Sequence, residues 1–81
     1  SPSFKIKKED FNEQMNIIDL VILSRLENSR SEIRRLIKGN AIKLNNKIVS
    51  DEKFLIDRKL FNKDYLKLSI GKKRHLKIEL N

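Results

Sequence analysis

The chain has 81 residues, 38% hydrophobic and 37% charged, with 19 Lys and Arg against 11 Asp and Glu and a formal net charge of +8. That length supports one small domain with a modest core and a large solvated surface. There is no cysteine, which excludes disulfides, thiolate nucleophiles and Cys-ligated zinc and fits a reducing, cytoplasmic setting.

The charge excess points to a polyanionic partner, with nucleic acid first and an anionic membrane surface second. Thirteen of the 19 basic residues are Lys, and Ile and Asn are abundant. AT-rich coding DNA produces the same bias, so charge alone does not identify the partner. The longest apolar run, Leu20-Val21-Ile22-Leu23, is far too short to span a bilayer, and no signal-peptide pattern is present. No membrane-spanning segment is expected, and with nucleic acid ranked first no membrane partner is expected. The start at Ser1-Pro2-Ser3, without an initiator Met, suggests an excised fragment.

Ser1 to Asp10 has no helical period. Phe4-Lys5-Ile6-Lys7 alternates apolar and basic residues, as in a short extended segment or a linker. A helical turn is plausible over Asp10 to Gln14. Asn16 is a good N-cap, with Asp19 three residues on in a capping-box position. Ile17, Ile18, Leu20, Val21, Ile22, Leu23 and Leu26 surround the helix that follows, which predicts the most buried helix, ending near Glu27-Asn28.

Ser29-x-x-Glu32 predicts a second capping box and a second helix close behind, crossing the first steeply. Ile33, Leu36 and Ile37 share one helix face. Ser31, Arg34, Arg35 and Lys38 share the opposite face, with Arg30 and Glu32 at its edges. Only Glu32 offers neutralisation within Ser29–Lys38, a run with four basic residues and one acid. Gly39-Asn40 predicts a left-handed exit.

The period then changes from that of a helix to that of a strand. Ile42 and Leu44 flank Lys43, Asn45-Asn46 fits a type I′ turn, and Lys47-Ile48-Val49 returns. Residues 51–64 are polar and irregular. Leu66-Lys67-Leu68-Ser69-Ile70 and Leu76-Lys77-Ile78-Glu79-Leu80 alternate on either side of the basic turn Gly71-Lys72-Lys73-Arg74. The expected class is α+β, with two to three short helices packed on a small antiparallel sheet.

Catalytic residues are not apparent. The chain has one His, Glu9/Asp10 and Asp51/Glu52 are adjacent pairs whose side chains diverge, and glycine occurs only at Gly39 and Gly71. No set of residues has metal-ligand spacing. Two basic clusters remain: the helix face of Arg34, Arg35 and Lys38 with Ser31, and Lys72-Lys73-Arg74-His75. Arg-rich helices suit phosphate backbones. The hairpin cluster also has a structural reading, as charge that protects a sheet edge. The aromatic residues Phe4, Phe11, Phe54, Phe61 and Tyr65 are scattered and expected mostly in the core. This favours backbone recognition of a structured RNA over an aromatic single-strand platform.

The run Ser29-Arg30-Ser31-Glu32-Ile33-Arg34-Arg35-Leu36-Ile37, with Ile42-Lys43-Leu44-Asn45-Asn46-Lys47-Ile48-Val49 after it, resembles the RNA-binding domain named after small-subunit ribosomal protein S-four. Together with the ending Gly71-Lys72-Lys73-Arg74, it looks most like the C-terminal domain of bacterial tyrosyl-tRNA synthetases. The resemblance spans roughly Ile17 to Leu80 and implies an S-four-like fold, the αL RNA-binding motif. It implies that the domain docks tRNA for tyrosine by the anticodon stem and variable arm. The implied RNA-binding residues are Arg30, Ser31, Arg34, Arg35, Lys38, Asn45, Lys47, Lys72, Lys73, Arg74 and His75. Residues 1–12 would be a linker from an absent catalytic domain and 13–81 the RNA-binding domain. No cofactor is implied for this fragment; ATP and tyrosine sites, and a homodimer interface, would lie in the absent domain. The family usually has a small residue where Ile33 sits, which implies looser helix packing here, and often Gly where Asn40 and Asn46 sit.

Three alternatives stay open on the residues: a stand-alone ribosome-associated S-four-type protein or the N-terminal module of a pseudouridine synthase, a helix-turn-helix DNA binder, and a pure interaction or dimerisation domain.

Overall fold

The computed structural model describes residues 2–81. Two helices lie on one face of a five-stranded sheet. In chain order the elements are β1 (Ser3–Ile6), α1 (Ile17–Ser24), α2 (Arg30–Lys38), β2 (Ile42–Leu44), β3 (Lys47–Ile48), β4 (Tyr65–Ile70) and β5 (Arg74–Leu80). Short 3₁₀ turns occupy Lys8–Asp10 and Arg58–Leu60. The strand order is β1-β5-β4-β2-β3, giving the expected α+β class.

All pairings are antiparallel except one: β1 runs parallel to β5, with Phe4 opposite Ile78 and Ile6 opposite Leu80. Residues 3–6 are therefore a sheet strand, and Ile6 and Phe11 belong to the buried core. The linker expected over 1–12 begins at Ser1, which lies outside the described residues.

The capping box at α1 forms in full. Asn16 Oδ1 accepts the Asp19 N–H at 2.9 Å, and Asp19 Oδ2 accepts the Asn16 N–H at 3.1 Å. The helix ends at Ser24, short of Glu27-Asn28, because Arg25 turns left-handed at φ 64°. Ser24 Oγ donates to the Val21 carbonyl at 2.8 Å and accepts the Leu26 N–H at 3.3 Å, fixing that exit. The connection to α2 is thus longer than the sequence predicts.

The exit of α2 is a Schellman turn. The Ala41 N–H donates to the Leu36 carbonyl and the Asn40 N–H to the Ile37 carbonyl, both at 3.0 Å. Asn40 takes the left-handed position at φ 58°, and Gly39 does not. Asn supplies the conformation for which glycine is the usual choice.

Ile17, Leu20 and Val21 of α1, Ile33 and Ile37 of α2, and Ile42, Leu66, Leu68 and Ile78 of the sheet close the core. Ile33 is fully enclosed, so the larger residue there leaves no exposed side chain between the helices. Phe11 and Phe61 meet edge to face at 5.4 Å beneath this layer.

The irregular stretch 51–64 proves to be strapped to the helix layer. The Ile17 N–H donates to the Phe54 carbonyl at 2.9 Å and the Ile56 N–H to the Met15 carbonyl at 2.8 Å. Ile56 itself is fully buried. Lys63 and Asp64, both at positive φ, then turn the chain tightly into β4.

Candidate nucleic-acid interface

The basic residues singled out from the sequence lie on three elements: the exposed face of α2, the β2–β3 turn and the β4–β5 hairpin. On α2, Ser29 Oγ accepts the Glu32 N–H at 3.2 Å and lies 3.1 Å from Ser31 Oγ. The reciprocal arm of the expected capping box does not form. Glu32 turns instead to Arg35, accepting from Nε at 2.8 Å and Nη2 at 2.7 Å. A bidentate ionic pair is stronger than one neutral backbone contact. It holds the Glu32 carboxyl below its ordinary range and the Arg35 guanidinium above its own.

Neutralisation of α2 is wider than its own sequence predicts. Arg30 Nη2 lies 3.2 Å from Asp19 Oδ1 on α1, and Arg34 Nε lies 3.4 Å from Glu52 Oε2 in the loop after β3. Neither partner is close in sequence, so only the fold brings them to this face. The three α2 guanidiniums remain 48–76% exposed. Exposed pairs of this kind are screened by solvent and weak, so a phosphate can exchange for them. Among the described residues, Lys38, Lys47, Lys72 and Lys73 have no ion-pair partner.

Asn45 and Asn46 adopt the expected left-handed pair, at φ 50° and 70°. The Asn45 amide is committed at both ends. Its Nδ2 donates to the Leu60 carbonyl at 2.7 Å, and its Oδ1 accepts the Lys67 N–H at 3.0 Å. Asn45 thereby positions the turn and leaves its tip to Asn46 and the exposed Lys47.

The hairpin cluster divides between the two faces of the sheet. Gly71 opens the turn at φ 66°, where an L side chain is strained. Arg74 shares its side of β5 with the buried Leu76 and Ile78, so it points toward the helices. Its Nη1 donates to the Leu26 carbonyl at 3.2 Å and to Glu27 Oε1 at 3.1 Å. Glu27 Oε2 in turn accepts the Ser29 N–H at 3.3 Å. Arg74, and then the Ser29 and Asn28 N–H groups, hold the Glu27 carboxyl below its ordinary value. The hairpin base and the start of α2 are thus one continuous surface. His75 points to the opposite, helix-free face, where its Nε2 lies 2.8 Å from the Lys72 carbonyl. No local signal marks Glu27 as the joint, because its partner Arg74 lies 47 residues further along the chain.

What the surface can do is hold anions. Among the described residues, no group of three or more His, Asp or Glu side chains is placed to hold a metal ion. No helix is long and apolar enough to cross a membrane.

The family model for the tyrosine–tRNA ligase SYY-like C-terminal domain matches residues 1–78. The tyrosine–tRNA ligase of Pelagibacter ubique is 57% identical over 79 residues, covering 98% of this chain and 19% of that protein. That of Ehrlichia chaffeensis is 41% identical over 78 residues, covering 95% of this chain and 19% of that protein. That of Rickettsia rickettsii is 35% identical over 80 residues, covering 98% and 20% respectively. The chain thus spans about a fifth of the length of these relatives. With a match that runs along nearly the whole sequence and an α+β domain of the expected kind, the chain belongs to the tyrosine–tRNA ligase SYY-like C-terminal domain family.

Proposed function

We propose that this domain docks tRNA for tyrosine, by its anticodon stem and variable arm, on behalf of a tyrosine–tRNA ligase. The observation that carries this reading is the joined surface: Arg34, Arg35 and Lys38 on α2, linked through Glu27 to Arg74 at the hairpin. Two basic elements held at a fixed separation suit the backbone of a folded RNA better than a single charged helix does. Arg30, Ser31, Lys47 and Lys72 extend the surface, and Asn45 sets the turn. Lys73 and His75 belong to the other side of the sheet.

The rest of the reading concerns the larger protein. A catalytic domain preceding this one would hold ATP and tyrosine, pair as a homodimer and work in the cytoplasm. This domain would act by proximity, keeping the tRNA near the aminoacylation site.

The test is a titration of the 81-residue chain with tRNA for tyrosine across salt, with duplex DNA as competitor. The log of the affinity should fall against log salt by roughly 0.7–0.9 per phosphate neutralised. Arg34→Ala with Arg35→Ala should weaken binding and flatten the slope. Flat salt dependence, no effect of the double variant, or preference for DNA would overturn the reading.

A further inference from the structure

The sheet has helices on one face only. The strand alternation sends Lys5, Lys43, Lys67 and Lys77 to the other face, against Glu79 as the one carboxylate on the described strands. Asp64, with Lys63, stands at the far rim. An open trough of about 630 Å³ runs along this face, lined by Pro2, Tyr65, Lys67, Lys73, His75 and Lys77.

Two observations give the trough a chemistry. Lys67 and Lys77 are direct cross-strand partners in the β4–β5 register. Like charges placed opposite one another destabilise a sheet. Here they diverge: Lys67 Nζ reaches Asn46 Oδ1 at 3.4 Å, and Lys77 Nζ sits 4.5 Å over the Tyr65 ring and 3.7 Å from Glu79. The second observation is the ring itself. Tyr65 is only half-buried, and a flexible lysine, rather than packed core, covers its face.

We propose that the helix-free face of the sheet is a second RNA surface, which takes an unpaired segment with phosphates between Lys67 and Lys77 and a base on Tyr65. A phosphate there relieves the repulsion of the lysine pair. Drawing Lys77 toward it uncovers the ring, and aromatic faces stack bases without regard to sequence. Lys73 extends the phosphate track at the hairpin end. His75 is tied to the Lys72 carbonyl and forms a wall of the trough. The inference rests on the reading of RNA as the partner, but it uses residues that the α2 surface does not.

The probe is an oligouridylate of about eight nucleotides, within the usual site size of small single-strand binders. Its binding to the 81-residue chain is followed by anisotropy and by tyrosine emission. Tyr65 is the single Tyr and there is no Trp, so emission reports on this face alone. The expected result is quenching on binding. Lys67→Thr with Lys77→Thr should weaken binding about 10-fold or more while the melting temperature holds or rises, since two phosphate contacts are lost and Thr suits a strand. Arg34→Ala with Arg35→Ala should leave oligouridylate affinity within about 3-fold while reducing that for tRNA. Unchanged oligouridylate binding in the Lys67/Lys77 variant overturns the proposal. So does binding to phosphatidylglycerol vesicles in place of the oligouridylate. Loss of tRNA binding only in the Lys67/Lys77 variant would instead count against the α2 docking surface, so the two readings fail separately.

Discussion

Arg74 and Glu27, 47 residues apart in sequence, meet at 3.1 Å and join the last hairpin to the N-cap of α2. Glu27 accepts from Arg74 with one oxygen and from the Ser29 N–H with the other. The contact sets where the hairpin stands relative to the arginines of α2. Glu27→Gln should therefore weaken tRNA binding several-fold although it removes a negative charge from a basic surface. A double-mutant cycle with Arg74→Ala should show strong coupling, because each variant breaks the same joint. The measurement is tRNA affinity for the four proteins at one salt concentration.

Glu52 has the opposite expected effect. It pairs with the exposed Arg34 at 3.4 Å and has no other ion-pair partner among the described residues. Glu52→Gln frees that guanidinium for phosphate and should raise tRNA affinity, with a melting temperature close to the parent, since an exposed pair contributes only about 0–1 kcal/mol. Equilibrium binding and a thermal melt check the two halves of this expectation.

The acid limb of stability should report the same joint. Glu27 and Glu32 both titrate below their ordinary value of 4.5 in the folded chain, held down chiefly by Arg74 and by Arg35. A carboxyl depressed on folding contributes stability that is fully present above its unfolded pKa. That stability is lost as pH falls through the folded value. Thermal melts should therefore show stability falling below about pH 4.5. The fall should be shallower in Glu27→Gln with Glu32→Gln.

Asn45 tests positioning against contact. Asn45→Ala leaves the Leu60 carbonyl and the Lys67 N–H without their side-chain partner, at a half-buried site in a left-handed turn. The expected cost is about 2–3 kcal/mol of stability by chemical denaturation. tRNA affinity per folded molecule should change little.

Local signals in the sequence carried the elements. The Asn16–Asp19 box, the Ser29 cap, the Asn45-Asn46 turn and the Gly71 turn all lie where their spacing predicts, because each rests on neighbours within a few residues. What was not legible depends on distant partners. The parallel docking of β1 on β5 joins the two ends of the chain. The strap from Phe54 to Ile56 is held by bonds to Met15 and Ile17. The site shows the same division. The α2 face could be read from its helical period, whereas Asp19, Glu27 and Glu52 reach it only through the fold. The run Lys72–His75 reads as one cluster in the sequence, yet the two-residue period of a strand puts Arg74 and His75 on opposite faces.

The central claim is that α2 and the hairpin base bind tRNA as one surface. Amide chemical-shift mapping of the ¹⁵N-labelled chain, titrated with tRNA for tyrosine, tests it most directly. The account predicts that the amides of residues 30–38, Asn46–Lys47, Lys72 and Arg74 shift together with a single affinity. Shifts that spare α2, or separate affinities for α2 and the hairpin base, would contradict it.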